Sequence, residues 1–113
     1  MDCIFCRIVA GEIPADVVFQ DAEFLAFRDI HPQAPVHILI VPKTHIASMN
    51  EVTDKQQSLM GKLLFVAKEV AEKEKIAEKG YRLTINCGPD GGQIVPHLHL
   101  HLMGGHRLDD LMC

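Results

Sequence analysis

The stretch His97-Leu98-His99-Leu100-His101-Leu102-Met103 constrains this chain more than any other. Alternation of polar and apolar residues is the period of a β-strand, whose successive side chains point to opposite faces. His97, His99 and His101 are thus expected on one face, each about 7 Å from the next, and Leu98, Leu100 and Leu102 on the other. Leucines turned toward a core leave the three imidazoles gathered on a working surface.

The other segments supply what such a strand needs. Residues 16–20 and 23–28 read as two strands separated by Asp21-Ala22, which is hairpin spacing. Residues 36–41 are apolar on both faces, as expected of a central strand covered on both sides. Thr53-Asp54-Lys55-Gln56 fits a capping box and predicts a helix start. Leu59, Leu63, Val66, Ala67 and Val70 then recur at helical spacing as a stripe for packing on the sheet, and Gly80 is expected to end the helical region. Residues 81–86 alternate again, Tyr81, Leu83 and Ile85 against Arg82, Thr84 and Asn86. Before all of these, residues 3–11 predict a short helical turn carrying Ile4, Phe5, Ile8 and Val9, stopped by Gly11 and Pro14. The predicted fold is α+β: a five-stranded antiparallel sheet with one long helix on one face and a short N-terminal helix, residues 1–113 forming a single domain.

Composition narrows the partners. Eleven basic against fifteen acidic residues give a net charge of −4, the wrong sign for neutralising a phosphate backbone, so no polymeric nucleic acid is expected. Fully apolar runs are short, four residues at 38–41 and five at 63–67, against the roughly 18 residues of a membrane span, so no membrane partner is expected either. Met1-Asp2-Cys3-Ile4 lacks a basic segment followed by an apolar stretch, which makes the cytoplasm the expected compartment and a disulfide framework improbable. In that compartment the Cys3-x-x-Cys6 spacing suggests metal ligation or redox chemistry.

Two chemistries compete for the histidine strand. Converging rings could chelate zinc and, with an open position, form a hydrolytic metal site. Alternatively one imidazole is a nucleophile, because histidine can form a covalent intermediate that divides one difficult displacement into two steps. Gly91-Gly92, in a turn ahead of the strand, offers backbone amides close to a ligand, and Asn86 and Gln93 can donate neutral hydrogen bonds. Coupled to the histidines, that loop favours phosphoryl chemistry.

The histidine run, with apolar residues between the imidazoles, resembles the motif of the histidine triad superfamily. Phe27-Arg28-Asp29-Ile30-His31-Pro32-Gln33-Ala34-Pro35-Val36-His37 and Asp90-Gly91-Gly92-Gln93 are similar to its histidine triad nucleotide-binding branch, and the likeness runs from about Cys3 to Gly105. The resemblance implies a homodimeric purine nucleoside phosphoramidase whose sheet extends across the dimer. It implies His99 as the nucleophile at the α-phosphorus of a nucleoside 5′-phosphoramidate, giving a nucleotidyl-histidine that water cleaves, with no cofactor needed for the chemistry. His101 would hydrogen-bond phosphate oxygens, the backbone would orient His99, and His37 would sit beside the triad. Asn86, Gln93 and the amides around Val95 would stabilise developing charge, and Asp29 would bind the ribose hydroxyls. Phe5, Ile8, Ile13, Phe27, Ile30 and Leu39 match positions lining the base pocket, a role they would share with core packing.

The same resemblance shows departures. Ile94 stands where the branch commonly has a serine near the leaving group, Pro96 replaces an aromatic residue, and the C-terminal tail is short. A non-catalytic nucleotide-binding regulator and a zinc-dependent phosphohydrolase therefore stay open beside the phosphoramidase. Separately, Cys3 and Cys6 can present two thiolates to one zinc, which His45 and His97 would complete as a closed structural Cys2His2 site, an arrangement similar to that of some histidine triad proteins.

Overall fold

The computed structural model describes residues 3–110; Met1, Asp2, Leu111, Met112 and Cys113, the two ends of the expected domain, lie outside the described residues. Two α-helices, α1 (Ile4–Val9) and α2 (Gln57–Lys73), accompany five strands: β1 (Val17–Gln20), β2 (Phe24–Arg28), β3 (Val36–Pro42), β4 (Tyr81–Ile85) and β5 (Leu100–Gly104). The sheet is antiparallel throughout, in the order β1-β2-β3-β5-β4. This is the α+β architecture expected from the sequence.

Strand β3 is central, between β2 and β5, and is buried along its length from His37 to Pro42. Its register explains the two layers. Ile38 and Ile40 pair with Leu102 and Leu100 and pack with Phe24, Ala26, Leu63, Val66, Ala67 and Val70 under α2. Leu39 pairs with His101, so the opposite face carries Leu25, Phe27, Leu39 and Val41, covered at one end by Cys3 and Phe5 of the α1 segment. Face by face, one layer is a plain hydrophobic core and the other joins a small core to the histidines.

Local chemistry accounts for most boundaries. Asp21 Oδ1 accepts hydrogen bonds from the backbone N–H groups of Glu23 and Phe24, closing the β1–β2 hairpin without a glycine. The capping box at Thr53 and Gln56 is present, but it opens a 3-10 turn, Asp54–Gln56, that leads into α2. The helical region stops at Lys73 rather than running toward Gly80. Lys75 takes a left-handed conformation, φ 62°, while Ile76 N–H bonds to Ala71 O and Lys75 N–H to Glu72 O. These are the two hydrogen bonds of a Schellman cap. A lysine in place of the usual glycine hides that stop from a sequence reading.

Candidate active site and metal cluster

The histidine strand departs from its expected form at one end. Regular pairing begins at Leu100, so His97 and His99 lie on the extended segment leading into β5, with Leu98 N–H bonded to Ile46 O. The bend separates the imidazoles. His97 turns toward the cysteines, whereas the His99 and His101 rings stand 5.0 Å apart, closer than a flat strand would place them.

Hydrogen bonds fix which nitrogen of each ring carries the proton, because carbonyls only accept and amides only donate. Nδ1 of His99 lies 2.7 Å from the His97 carbonyl, so it donates there and Nε2 holds the free lone pair. The ring is buried and stands edge-on to Phe5, at 5.1 Å and 84°. The Gln33 N–H donates to His37 Nδ1 at 3.0 Å, which places the proton of neutral His37 on Nε2. That Nε2–H donates to His101 Nδ1 at 2.9 Å, so His101 carries its own proton on Nε2. Burial holds His37 below the usual histidine range, partly offset by Asp29. His101 is pushed down to about 4 by burial, with the neighbouring His99 and His37 adding to the effect. Around neutral pH the His37 and His101 rings are therefore neutral and their tautomers are set.

Asp29 borders this group. Its Oδ1 accepts from the His31 N–H at 2.8 Å, and its Oδ2 lies 3.5 Å from His37 Nε2 with capacity left for another donor. Asp29, His37 and His101 lie close enough to share a cation, but the 2.9 Å contact between the two rings is accounted for by a hydrogen bond.

The loop ahead of β5 is held from inside. Both protons of the Gln93 amide are engaged, by Ala47 O at 2.7 Å and Val95 O at 2.9 Å, and its Oε1 accepts from the Gly88 N–H. Gln93 therefore anchors the loop, and a phosphate would reach its amide only at the expense of those bonds. Asn86 donates to Gly91 O at 2.8 Å. A side chain at Gly91 would collide with the Cys87 carbonyl oxygen, so the turn itself demands this glycine. Ile94 projects from the anchored loop at 91% exposure, between Gln93 and the partly buried Val95.

Of the residues matched to a base pocket, Phe5, Phe27 and Leu39 are buried together and Ile8 packs against them, with Phe5 and Phe27 edge-on at 5.6 Å. Ile13 is half-buried, and Ile30 is 84% exposed beside Asp29. A cavity of about 710 Å³ lies elsewhere, around Lys75, Lys79, Gly105 and Arg107, and no residue singled out from the sequence as a site residue lines it.

Cys3, Cys6, His45 and His97 converge on one point, the ligand set expected from the Cys3-x-x-Cys6 pair and the likeness to some histidine triad proteins. His45 Nδ1 and His97 Nδ1 are 3.2 Å apart, and the sulfur-to-nitrogen distances are 3.4 Å for Cys3–His97, 3.3 Å for Cys6–His45 and 3.6 Å for Cys6–His97. Metal–ligand bonds of ~2.3 Å to sulfur and ~2.05 Å to nitrogen give tetrahedral edges of about 3.5 Å for S···N and about 3.3 Å for N···N. The donor set thus has the dimensions of a four-coordinate metal site. His97 Nε2–H donates to Pro42 O at 2.8 Å, leaving Nδ1 bare for a metal, and burial keeps this ring below the usual histidine range. Burial and the nearby Cys3 sulfur raise the Cys6 thiol above its ordinary value, so two adjacent thiolates call for a cation between them.

Sequence reasoning missed the backbone partners: Gln33 N–H, Pro42 O, Ile46 O and Ala47 O. Main-chain groups carry no residue-type signal, so only the fold reveals them.

Comparison with known proteins places this geometry. Residues 10–108 match the family model described as the HIT domain. The chain is 54% identical over 107 residues to an uncharacterised HIT-like protein of Synechococcus elongatus, covering 95% of this chain and 93% of that protein. It is 47% identical over 111 residues to the purine nucleoside phosphoramidase of Escherichia coli K12, covering 98% and 93%. A crystal structure of a HIT family hydrolase from Legionella pneumophila superposes with a TM-score of 0.95 at 52% identity, covering 97% of this chain and 98% of that one. On the match across nearly the whole described fold, the chain belongs to the HIT domain family.

Proposed function

We propose that this HIT-family hydrolase cleaves the P–N bond of purine nucleoside 5′-phosphoramidates through a nucleotidyl-His99 intermediate. The observation that carries the reading is the 2.7 Å hydrogen bond from His99 Nδ1–H to the His97 carbonyl, which leaves a neutral Nε2 lone pair as the nucleophile. Nε2 attacks the α-phosphorus, the P–N bond breaks and the leaving nitrogen departs as the amine with a proton taken from solvent. The carbonyl stabilises positive charge arising on the imidazole. His101, its Nδ1 held by His37, presents Nε2–H to a phosphate oxygen, an arrangement that gains strength as the oxygen takes on charge. Water then attacks the same phosphorus and frees His99. Asp29 Oδ2 has capacity for ribose hydroxyls, and Ile30, Phe27, Leu39, Phe5, Ile8 and Ile13 supply apolar surface for the base. Asn86, Gln93 and Val95 shape the loop beside the phosphate, Gln93 through its anchoring bonds. The 47% identity to the Escherichia coli purine nucleoside phosphoramidase supports this substrate class.

The Cys3, Cys6, His45 and His97 cluster suits a structural zinc, whose bound form would tie α1 to the segment carrying His99. Four protein ligands fill a tetrahedron and leave no open position, which favours an imidazole nucleophile over a zinc-dependent hydrolase. Strand β4 forms one edge of the sheet with Leu83 at 37% exposure, an arrangement open to sheet extension in a homodimer. The two thiols suit a reducing compartment such as the cytoplasm.

His99→Ala tests the reading. Turnover of an adenosine phosphoramidate is expected to fall by at least about 10³-fold, with AMP affinity changed by less than about 5-fold. Retained turnover would refute the assignment of His99; loss of binding alone would indicate a nucleotide-binding role.

A further inference from the structure

We propose that Cys3 and Cys6 are a redox modification site. On reaction with hydrogen peroxide they form a disulfide, which dismantles the ligand cluster and withdraws the support that holds His99 in its reacting tautomer. The inference rests on His99 being the nucleophile.

The pair is close enough to be joined. Cys3 is the N-cap of α1 and its Sγ accepts the Cys6 N–H at 3.4 Å, so both sulfurs sit on the first helical turn. Residues three apart on such a turn have Cα atoms roughly 5 Å apart, inside the range a disulfide spans. Cys3 is 3% exposed and Cys6 is half-buried, which makes Cys6 the thiol a peroxide reaches first. Burial and Cys3 raise this thiol, so the reaction runs through its minor, deprotonated form: the Cys6 thiol gives its proton to solvent, the thiolate attacks one peroxide oxygen, the O–O bond breaks and the released hydroxide takes a proton, leaving a sulfenic acid at Cys6. The Cys3 thiolate then attacks Cys6 Sγ, the S–O bond breaks and a second water leaves. Two electrons pass from two thiolates to one peroxide.

The consequences reach His99 along two paths. Cys6 Sγ, now bonded to Cys3, is no longer an anionic partner for His45 and His97, from which it stands at 3.3 and 3.6 Å. His97 is common to both sites: its ring belongs to the cluster and its main-chain carbonyl fixes the His99 proton. Phe5, between the two cysteines in sequence, lies edge-on to His97 at 5.9 Å and to His99 at 5.1 Å, so a shift of the first turn of α1 is felt by both rings. His97 is thus a positioning residue through which the dithiol acts on the nucleophile.

The test uses the full chain with Cys87→Ser and Cys113→Ser, leaving Cys3 and Cys6 as the only thiols. The protein is treated with hydrogen peroxide, its mass is followed for loss of two hydrogens, and the ring nitrogens of His99 are read by ¹⁵N NMR before and after. The oxidised form is expected to lose the single Nδ1–H tautomer of His99. Its kcat for an adenosine phosphoramidate is expected to drop at least about tenfold while KM changes less than about threefold, and dithiothreitol should restore both. Adding Cys6→Ser should abolish the reversible response. A disulfide that forms while the His99 tautomer and kcat stay unchanged would overturn the proposal, as would oxidation that halts at a sulfinic acid without a disulfide. If the reduced protein shows no turnover at all, the phosphoramidase reading fails, and the ¹⁵N spectra still decide the coupling.

Discussion

Gln93 shows how one side chain can be read for its chemistry and prove to serve its loop. Its amide spans Ala47 O, Val95 O and the Gly88 N–H, three backbone groups from separate stretches. Replacement by alanine leaves them without that partner, at about 1–3 kcal/mol for the part-buried ones. Gln93→Ala should therefore lower the urea midpoint of unfolding, and should lower kcat by loosening the segment that leads to His99; an unchanged midpoint would show the anchor to be dispensable. The histidines make a separate prediction about acid. His101 titrates near 4 when folded, against about 6.5 for an unfolded histidine, so between those values the unfolded chain binds a proton that the native ring refuses. Its contribution to stability is complete above the upper value and is lost as pH falls toward the lower one, about 3 kcal/mol in all. His37 and His97 are shifted in the same direction. Urea unfolding of the wild type at pH 7 and pH 4.5 should show this loss, and His101→Gln should flatten it.

Elements were legible wherever pattern alone determines them. The α2 stripe, the doubly buried β3 and the alternating β4 follow from periodicity, and the capping box at Thr53 appears as read. What escaped depends on contacts distant in sequence or on an untypical residue. Histidine–leucine alternation predicts a strand from residue 97, yet His97 is drawn off toward Cys3, Cys6 and His45, and the ladder starts three residues later. The end of α2 escaped because lysine occupies the left-handed cap position. That choice has an energetic cost of about 1 kcal/mol relative to glycine. Lys75→Gly should raise stability by roughly that amount, read as a higher urea midpoint with no change in activity; a fall would mean that the lysine side chain contributes more than its backbone costs.

At the scale of the molecule, the sheet separates a structural face from a chemical one. Phe24, Ile38, Ile40, Leu100 and Leu102 face α2, while the reverse side of the same strands carries His37, Leu39 and His101. Candidate residues from separate stretches meet there, Cys3, Cys6, His45 and His97 in one cluster and Asp29, His37 and His101 in another. The residue types of the two clusters were legible in the sequence, which could not show the hydrogen bonds that set the tautomers of the histidines. Metal binding belongs to this scale because the cluster joins the N-terminal segment to the His97 segment. Exhaustive chelation should lower the melting temperature by several degrees and zinc should restore it; a melting temperature indifferent to both would count against a structural metal. Sheet extension through β4 predicts a dimer in sedimentation equilibrium that Leu83→Asp weakens, and a wild-type monomer at high micromolar concentration would remove that reading. The most direct test of the central claim is to mix the protein with adenosine phosphoramidate, quench within milliseconds under denaturing alkaline conditions, and map any attached nucleotide by mass spectrometry. The account predicts one adenylyl group on His99, absent from His99→Ala. A protein that turns over substrate with no adduct on any histidine, or with one on His101, would contradict it.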